Sequence, residues 1–523
     1  MSTVIDTIIA DQTVGAGNLF NRLAEISPAA KERNIFLDDP LPYIPHNPIA
    51  LTDITSVSAK LSNWYVAQGV TTKDPVCLYL EDSLHYLVHY VALNNLGAIP
   101  VFINGSLDVK IATQFAQRTG SKLIITDSHR YENFVSAAKL HAYEPEITLL
   151  SDIDFQSFEP VTKFYQHVAR DMVLLAHTSG TTGIPKAVQF NHAGFFYGVR
   201  QQVKKMFGNR IMNALPHSHA SALSIMMSFT LRGATIKIQT RKAPLDALEA
   251  IEQFKPDFFV SFPKVYTDMC RYDFNDFDLS SIGYWLSTGD VNHQSHILKL
   301  MEQGSHEFRG EKKPGSLFVD NLGSSEFGFA AFRNVHSPEK QRFNRCIGVP
   351  FDWVSAAILS SKGEICPPHT VGYLGVASES VTSGYWNNTF LTEKNRMGNY
   401  WLTGDWAYRD EDGFFYHVDR ITDSIQTPAG PVYSAQLEEL LMSNFADLFD
   451  CSVVGVECEN GETWPKVICE ITETAKVDEL REKIGNFLAG KGITKLAAIS
   501  FDMKPHFYGV TGKVLKRVLR EEA

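Results

Sequence analysis

Residues 176–188 read AHTSGTTGIPKAV: four hydroxyls (Thr178, Ser179, Thr181, Thr182), two glycines (Gly180, Gly183), a proline and Lys186, set between apolar stretches. Glycines let a backbone turn its amides toward an anion, hydroxyls add donors and a lysine adds positive charge, a combination suited to a polyphosphate. The flanks MVLLAH and KAVQF read as buried strands, so the loop joins strand to strand. It is not a Walker A loop, because Pro185 stands where that motif needs glycine. The other Gly-Lys pair, Gly512-Lys513, lacks the upstream glycine, which is Phe507 here. GAGNLF near the amino terminus lacks the third glycine of a dinucleotide fingerprint and follows no strand pattern. Alone, a loop rich in Ser, Thr and Gly is more often a solvated connection than a site, so its meaning depends on the rest of the chain.

The elements around it alternate. DITSVSAKLSNWYVAQGV places its apolar residues on one helical face, PVCLYL reads as a buried strand, and LHYLVHYVALNNLGAIPVF as a helix running into a strand after Gly97. ATQFAQRTG (helix), KLIITD (strand), LDALEAIEQFKP (helix) and DFFVSF (strand) continue the pattern, which predicts an α/β architecture. There is no internal repeat or low-complexity linker.

A boundary is expected near residue 420. DEDGFFYHVDR carries a turn at Asp412-Gly413 and a short aromatic strand. After Arg420 come a helix (SAQLEELLMSNF), the strands SVVGVE and KVICEIT, and a helix from Val477. Roughly the last hundred residues are long enough to fold as a small α+β unit.

Length and composition narrow the function. A chain of 523 residues exceeds one ordinary core, and 44% hydrophobic with 20% charged residues is the balance of a folded protein. A net charge of −11 argues against nucleic acid or anionic lipid as a partner. The seven cysteines are odd in number and form no CxxC pair, which predicts buried reduced thiols and a cytoplasmic location rather than a disulfide framework or a zinc site. The first twenty residues lack the basic region of a signal peptide, and no apolar run reaches membrane-spanning length.

Further motifs change the reading of the loop. TSGTTGIPK, LPHSH, NLGSSEFG, SGYWNN, WLTGD, DRITDSI and TGKVLKR follow one another in order. In this set the chain resembles the adenylate-forming superfamily of acyl-CoA synthetases, peptide-synthetase adenylation domains and luciferases, from about Leu51 to Leu519. The resemblance implies a large amino-terminal domain of several subdomains (1–419) holding ATP and a small carboxylic acid. A small mobile α+β lid (420–523) would carry the catalytic lysine.

The site roles are those the resemblance implies. Thr178, Ser179, Gly180, Thr181, Thr182, Gly183 and Lys186 match the cradle of the β- and γ-phosphates. Glu326 matches the Mg²⁺ carboxylate, with Thr178 as a hydroxyl near the metal and Gly323, Ser324 and Ser325 beside it. Hard Mg²⁺ is satisfied by one carboxylate together with phosphate and water. Leu322 stands where an aromatic residue commonly packs on adenine. Asp405 matches the ribose acceptor, and Arg420 the arginine that helps hold the ribose or phosphate from the domain boundary. Lys513 matches the lysine that bridges carboxylate and α-phosphate, two anions that repel without cationic help. His219, Ser221, Phe262, Ser287, Thr288 and Gly289 fall in the register of the acid pocket.

An acyl-adenylate is a mixed anhydride, open to a thiol or an amine. In thioester-forming relatives a glycine-rich turn after the boundary arginine lines the pantetheine tunnel. Here that loop reads QTPAGPVYS, with Ala429 at the usual glycine between Pro428 and Pro431, and proline removes amide donors. Thr422 takes a hinge position where Asp or Lys is common. The departures move the expectation toward coronafacate-type amide ligases, in which an amine such as an amino acid is acylated directly. CoA is the alternative acceptor and a separate carrier protein the remote one.

Overall fold

The computed structural model describes residues 2–178, 185–290, 292–472, 476–493, 495–502, 508–509 and 512–521. Two large sheets organise the chain up to Arg420. The first orders its strands Glu146–Leu149, Leu123–Thr126, Pro75–Leu80, Ile99–Asn104, Met172–His177 and Ala187–Asn191, parallel except for the last pair. That antiparallel pair carries residues 178–186 at its turn, so the phosphate-type loop does join strand to strand.

The second sheet is parallel over Ile35–Leu37, Thr235–Ile238, Arg210–Asn213, Phe258–Ser261, Tyr284–Thr288 and Leu317–Leu322. It turns antiparallel through Phe332–His336 and Cys346–Pro350 into Phe415–Arg420, Tyr400–Arg409, Gly372–Ala377 and Ser355–Leu359. Parallel strands need crossover connections, which the helices Pro244–Phe254 and Pro263–Met269 supply on one face. Trp285 anchors that face. It is fully buried, and its Nε1 donates to the Leu300 carbonyl at 3.0 Å and to Ser316 Oγ at 2.8 Å.

After Arg420 the chain leaves this sheet. A hairpin, Ile425–Thr427 with Gly430–Val432, precedes the helix Ser434–Asn444, a difference from the expected direct entry into the helix. Two three-residue strands, one of them containing Pro431, carry too little alternation to be read from sequence. A separate sheet follows: Leu448–Glu457 antiparallel to Thr463–Ile471, which runs parallel to Ala498–Asp502. The helix Val477–Gly490 packs Leu480, Ile484 and Leu488 into its core.

All seven cysteines are free thiols. Five are buried as expected, whereas Cys366 and Cys458 are part-exposed in connections between strands. Among the described residues no helix is long and apolar enough to cross a membrane.

Replacing Trp285 by Ala empties a fully buried site and removes both indole hydrogen bonds. A loss of about 3–5 kcal/mol is expected, read as a fall of several degrees in the thermal unfolding midpoint.

Candidate active site

One cavity of about 1540 Å³ opens between the two large sheets and the carboxy-terminal unit. That exceeds the roughly 300–1,000 Å³ usual for a single ligand, and leaves room for a nucleotide and a second substrate together. Its lining includes Thr178, Lys186, His219, Ser221, Phe262, Thr288, Gly289, Leu322, Gly323, Ser324, Ser325, Glu326, Asp405, Arg420 and Lys513. Ser179, Gly180, Thr181, Thr182 and Gly183 lie outside the described residues. Ser287 departs from expectation: it is buried on the opposite face of its strand, its Oγ accepting from Asn292 Nδ2 at 2.8 Å. Side chains alternate along a strand, so Thr288 and Ser287 cannot both face the cavity.

The base of the loop is clamped. Thr178 N donates to the Lys186 carbonyl at 3.1 Å, and Lys186 N donates to Thr178 Oγ1 at 3.2 Å. Lys186 directs its ammonium over the Tyr385 ring, 5.0 Å from the centroid, while Tyr385 Oη donates to Glu326 Oε1 at 2.7 Å. Thr382 N donates to the Glu326 carbonyl at 2.7 Å, and Thr382 Oγ1 to the Gln189 carbonyl at 2.7 Å. Three motifs far apart in the chain are thereby fixed to one another through SGYWNN.

Asp405 stands opposite Arg420 in the antiparallel pair of Tyr400–Arg409 with Phe415–Arg420. Arg420 Nε is 3.2 Å from Asp405 Oδ1, and His417 Nε2 is 3.3 Å from the same oxygen. Burial disfavours the charged carboxylate, but Arg420 and His417 outweigh it and hold the group below the ordinary carboxylate range. Arg345 Nη2 donates to His417 Nδ1 at 2.7 Å, so the imidazole presents its Nε2–H to Asp405.

Lys513 enters from the other side. Burial pushes its ammonium below the ordinary lysine value, with Asp290 pulling it up and Arg420 pushing it down; Asp405 and Glu326 also act on it. Gly512 before it has φ +75°, and a Cβ there would lie 2.6 Å from Lys264 Cβ, so only glycine lets this turn approach so closely. His219 caps the helix Ala220–Leu231 and meets Phe262 edge to face at 5.2 Å. Burial lowers its pKa to about 3, with His177 and Lys513 adding to the shift, so it is a neutral wall residue with Nδ1 2.7 Å from Ser221 Oγ.

The carboxy-terminal unit is held against the core by charge. Arg271 forms a two-pronged pair with Glu470, one contact at 3.1 Å, and lies 4.0 Å from the Phe449 ring centroid. His293 Nδ1 is 2.9 Å from Glu439 Oε2, and Lys264 Nζ sits 4.4 Å from the Tyr508 ring centroid. The sequence motifs assign no role to Arg271, His293, Tyr385, His417 or Arg345. Only Tyr385, within SGYWNN, carried a signal.

The model of the AMP-binding enzyme family matches residues 52–386. Among curated proteins, a 3-aminoavenalumate diazotase of Streptomyces sp. is 34% identical over 98% of this chain and 97% of its own length. A feruloyl-CoA synthase of Amycolatopsis sp. is 26% identical over 91% of this chain and 94% of its own. Among solved structures, an anthranilate CoA ligase in complex with anthranoyl-AMP superposes with a TM-score of 0.84 at 19% identity, covering 97% of each chain.

Arg271→Ala strands the buried Glu470 carboxylate. The lost pairing is worth roughly 1–3 kcal/mol, so amide hydrogen exchange in the strand Thr463–Ile471 is expected to quicken about tenfold or more, while exchange in the strand Pro75–Leu80 stays unchanged.

Proposed function

The chain belongs to the AMP-binding enzyme family, and on that footing we propose that it activates an oxyanion with ATP as an adenylate and passes the activated group to an amine. The convergence of Lys513, Arg420, Asp405 and Glu326 on one cavity carries this reading. Residues 1–419 form its adenylating core, and 420–523 form a lid that delivers Lys513.

In the first step an oxygen of the acid attacks the α-phosphorus of ATP, the bond to pyrophosphate breaks, and pyrophosphate leaves. Lys513 lies between the approaching anions and offsets their repulsion. Asp405 accepts from the ribose hydroxyls, and Arg420 keeps that carboxylate charged and oriented. The loop 178–186 holds the β- and γ-phosphates. Glu326 supplies a hard oxygen for Mg²⁺, and a single carboxylate fits a cation shared with phosphate oxygens and water. The one group of three possible metal ligands among the described residues, Glu81, Asp127 and His129, is elsewhere, and Arg130 pairs with both of its carboxylates. When bound, the metal neutralises phosphate charge.

In the second step an amine nitrogen attacks the adenylate, AMP leaves, and the nitrogen loses a proton. Aromatic walls at Phe258, Phe262, Phe329 and Tyr284 favour an aromatic acid. Two observations support nitrogen over a thiol. At the hairpin tip Pro428 and Pro431 have no N–H, and Ala429 N is already bonded to Thr427 Oγ1 at 3.2 Å, which leaves little backbone to line a pantetheine. The relative at 34% identity is named a diazotase, whereas the CoA-forming relative above stands at 26%. A diazotase-type variant uses the same two steps with nitrite as the oxyanion. The amine of an aminoaryl acid then attacks the nitrosyl nitrogen, AMP leaves, and the N-nitrosamine becomes a diazonium ion by loss of hydroxide. CoA thioester formation is the second reading, favoured by the feruloyl-CoA synthase likeness.

Pure protein given ATP, Mg²⁺, aromatic and aminoaryl acids, amino acids, nitrite and CoA is expected to yield AMP with amide or diazo products by mass spectrometry. Acyl-CoA as the sole product would replace the nitrogen acceptor with sulfur. Lys513→Ala is expected to lower pyrophosphate release at least a hundredfold. Because burial lowers the Lys513 pKa, its charge is present below that pKa and lost above it. The alkaline limb of kcat/KM for adenylation should therefore fall below the ordinary lysine value, and Lys513→Arg should remove that limb.

A further inference from the structure

One sheet face forms the floor of the cavity. Across the ladders Phe258–Ser261, Tyr284–Thr288, Leu317–Leu322 and Phe332–His336, the registers pair Val260 with Leu286, Leu286 with Val319, and Val319 with Val335. The next row toward the loop ends pairs Thr288 with Asn321 and Asn321 with Arg333. The first row is wholly aliphatic and the second wholly polar, and every residue of both rows lines the cavity. Cross-strand neighbours on one face stand about 4.5–5.5 Å apart at Cβ, so Asn321 and Arg333 act as a pair.

Neither is spent on the fold. Asn321 Oδ1 is buried without a hydrogen-bond partner among the described residues. Arg333 makes no ion pair among them: its guanidinium lies 5.2 Å from the Phe351 ring centroid, and Asp352, the acid that acts on it, is bridged to Lys205 at 2.7 Å. Burial works against the Arg333 charge. A part-desolvated cation and an unpaired amide oxygen, side by side next to an aliphatic row, are costly unless a ligand completes them.

We propose that Asn321 and Arg333 are specificity determinants that read a polar ring substituent of the aromatic acid. Arg333 donates to a ring oxygen, hydroxyl or phenolate, and Asn321 Oδ1 accepts a proton from an adjacent O–H or N–H. The substrate class is then a hydroxylated aromatic acid, with an amino group beside the hydroxyl as the substitution that satisfies both residues. The inference rests on the reading that this cavity adenylates an aromatic acid.

The test measures kcat/KM for pyrophosphate release with benzoate, 4-hydroxybenzoate and 3-amino-4-hydroxybenzoate and with the three corresponding cinnamates. The wild-type protein is expected to favour the hydroxylated over the unsubstituted acid by roughly ten- to a hundredfold in at least one series. Arg333→Met should collapse that ratio toward one, Arg333→Lys should keep part of it, and Asn321→Leu should remove the added preference for the amino-hydroxy acid. Each ratio is taken within one preparation, so a variant that folds poorly lowers both numbers and leaves the ratio intact. An unchanged ratio in Arg333→Met, or no hydroxyl preference in the wild type, overturns the inference while the functional reading stands. Pyrophosphate release with none of the acids overturns the reading that this cavity adenylates an aromatic acid, and the inference with it.

Discussion

One ammonium group, that of Lys513, is part-buried where two parts of the chain meet, and much of the site's arrangement serves to make that tolerable. A buried cation without compensation sheds its proton. Here Asp290, Asp405 and Glu326 pull its pKa up, while Arg420 and burial push it down. Burial works against the Asp405 carboxylate, but Arg420 and His417 beside it hold it below the ordinary carboxylate range, and His417 is oriented by Arg345. The result is a site poised to accept further negative charge, and ATP with an oxyanion brings that charge. Contacts that press the carboxy-terminal unit onto the core, Arg271 with Glu470 and His293 with Glu439, keep Lys513 inside the balance.

How much of this could be read beforehand depended on where the information lay in the chain. The strand PVCLYL was legible because an apolar run of that length is too short for a helix, and it runs as Pro75–Leu80. The residues around Glu326, Asp405 and Lys513 were legible because their neighbours repeat a family's local pattern. Ser287 was misplaced because a motif register gives position along a strand but not the face. The alternation of Trp285 inward and Leu286 toward the cavity would have put Ser287 with Trp285. Arg271 and Glu470 were beyond reach, since nothing local relates residues two hundred positions apart. Arg333 was equally silent, because only the antiparallel register to Asn321 puts it on the floor of the cavity.

The same chemistry accommodates several acceptors because the first step leaves a common product, an anhydride of AMP. What differs is the surface presented to the second nucleophile. A turn that offers amides can line a long thiol arm, and a turn closed by Pro428, Pro431 and the Thr427 hydroxyl offers few. A small amine needs no such lining. The cavity floor, apolar in one row and polar in the next, meets the same economy: orientation comes from a few fixed groups and affinity from the aromatic walls.

Attack by an oxyanion on the α-phosphorus leaves a mark that no other route leaves. With the acid ¹⁸O-labelled in its carboxylate, or with ¹⁸O-nitrite for the diazotase-type variant, and the acceptor present, one labelled oxygen is expected in the AMP released and none in pyrophosphate. Label absent from AMP, or ADP and orthophosphate in place of AMP and pyrophosphate, would contradict the account.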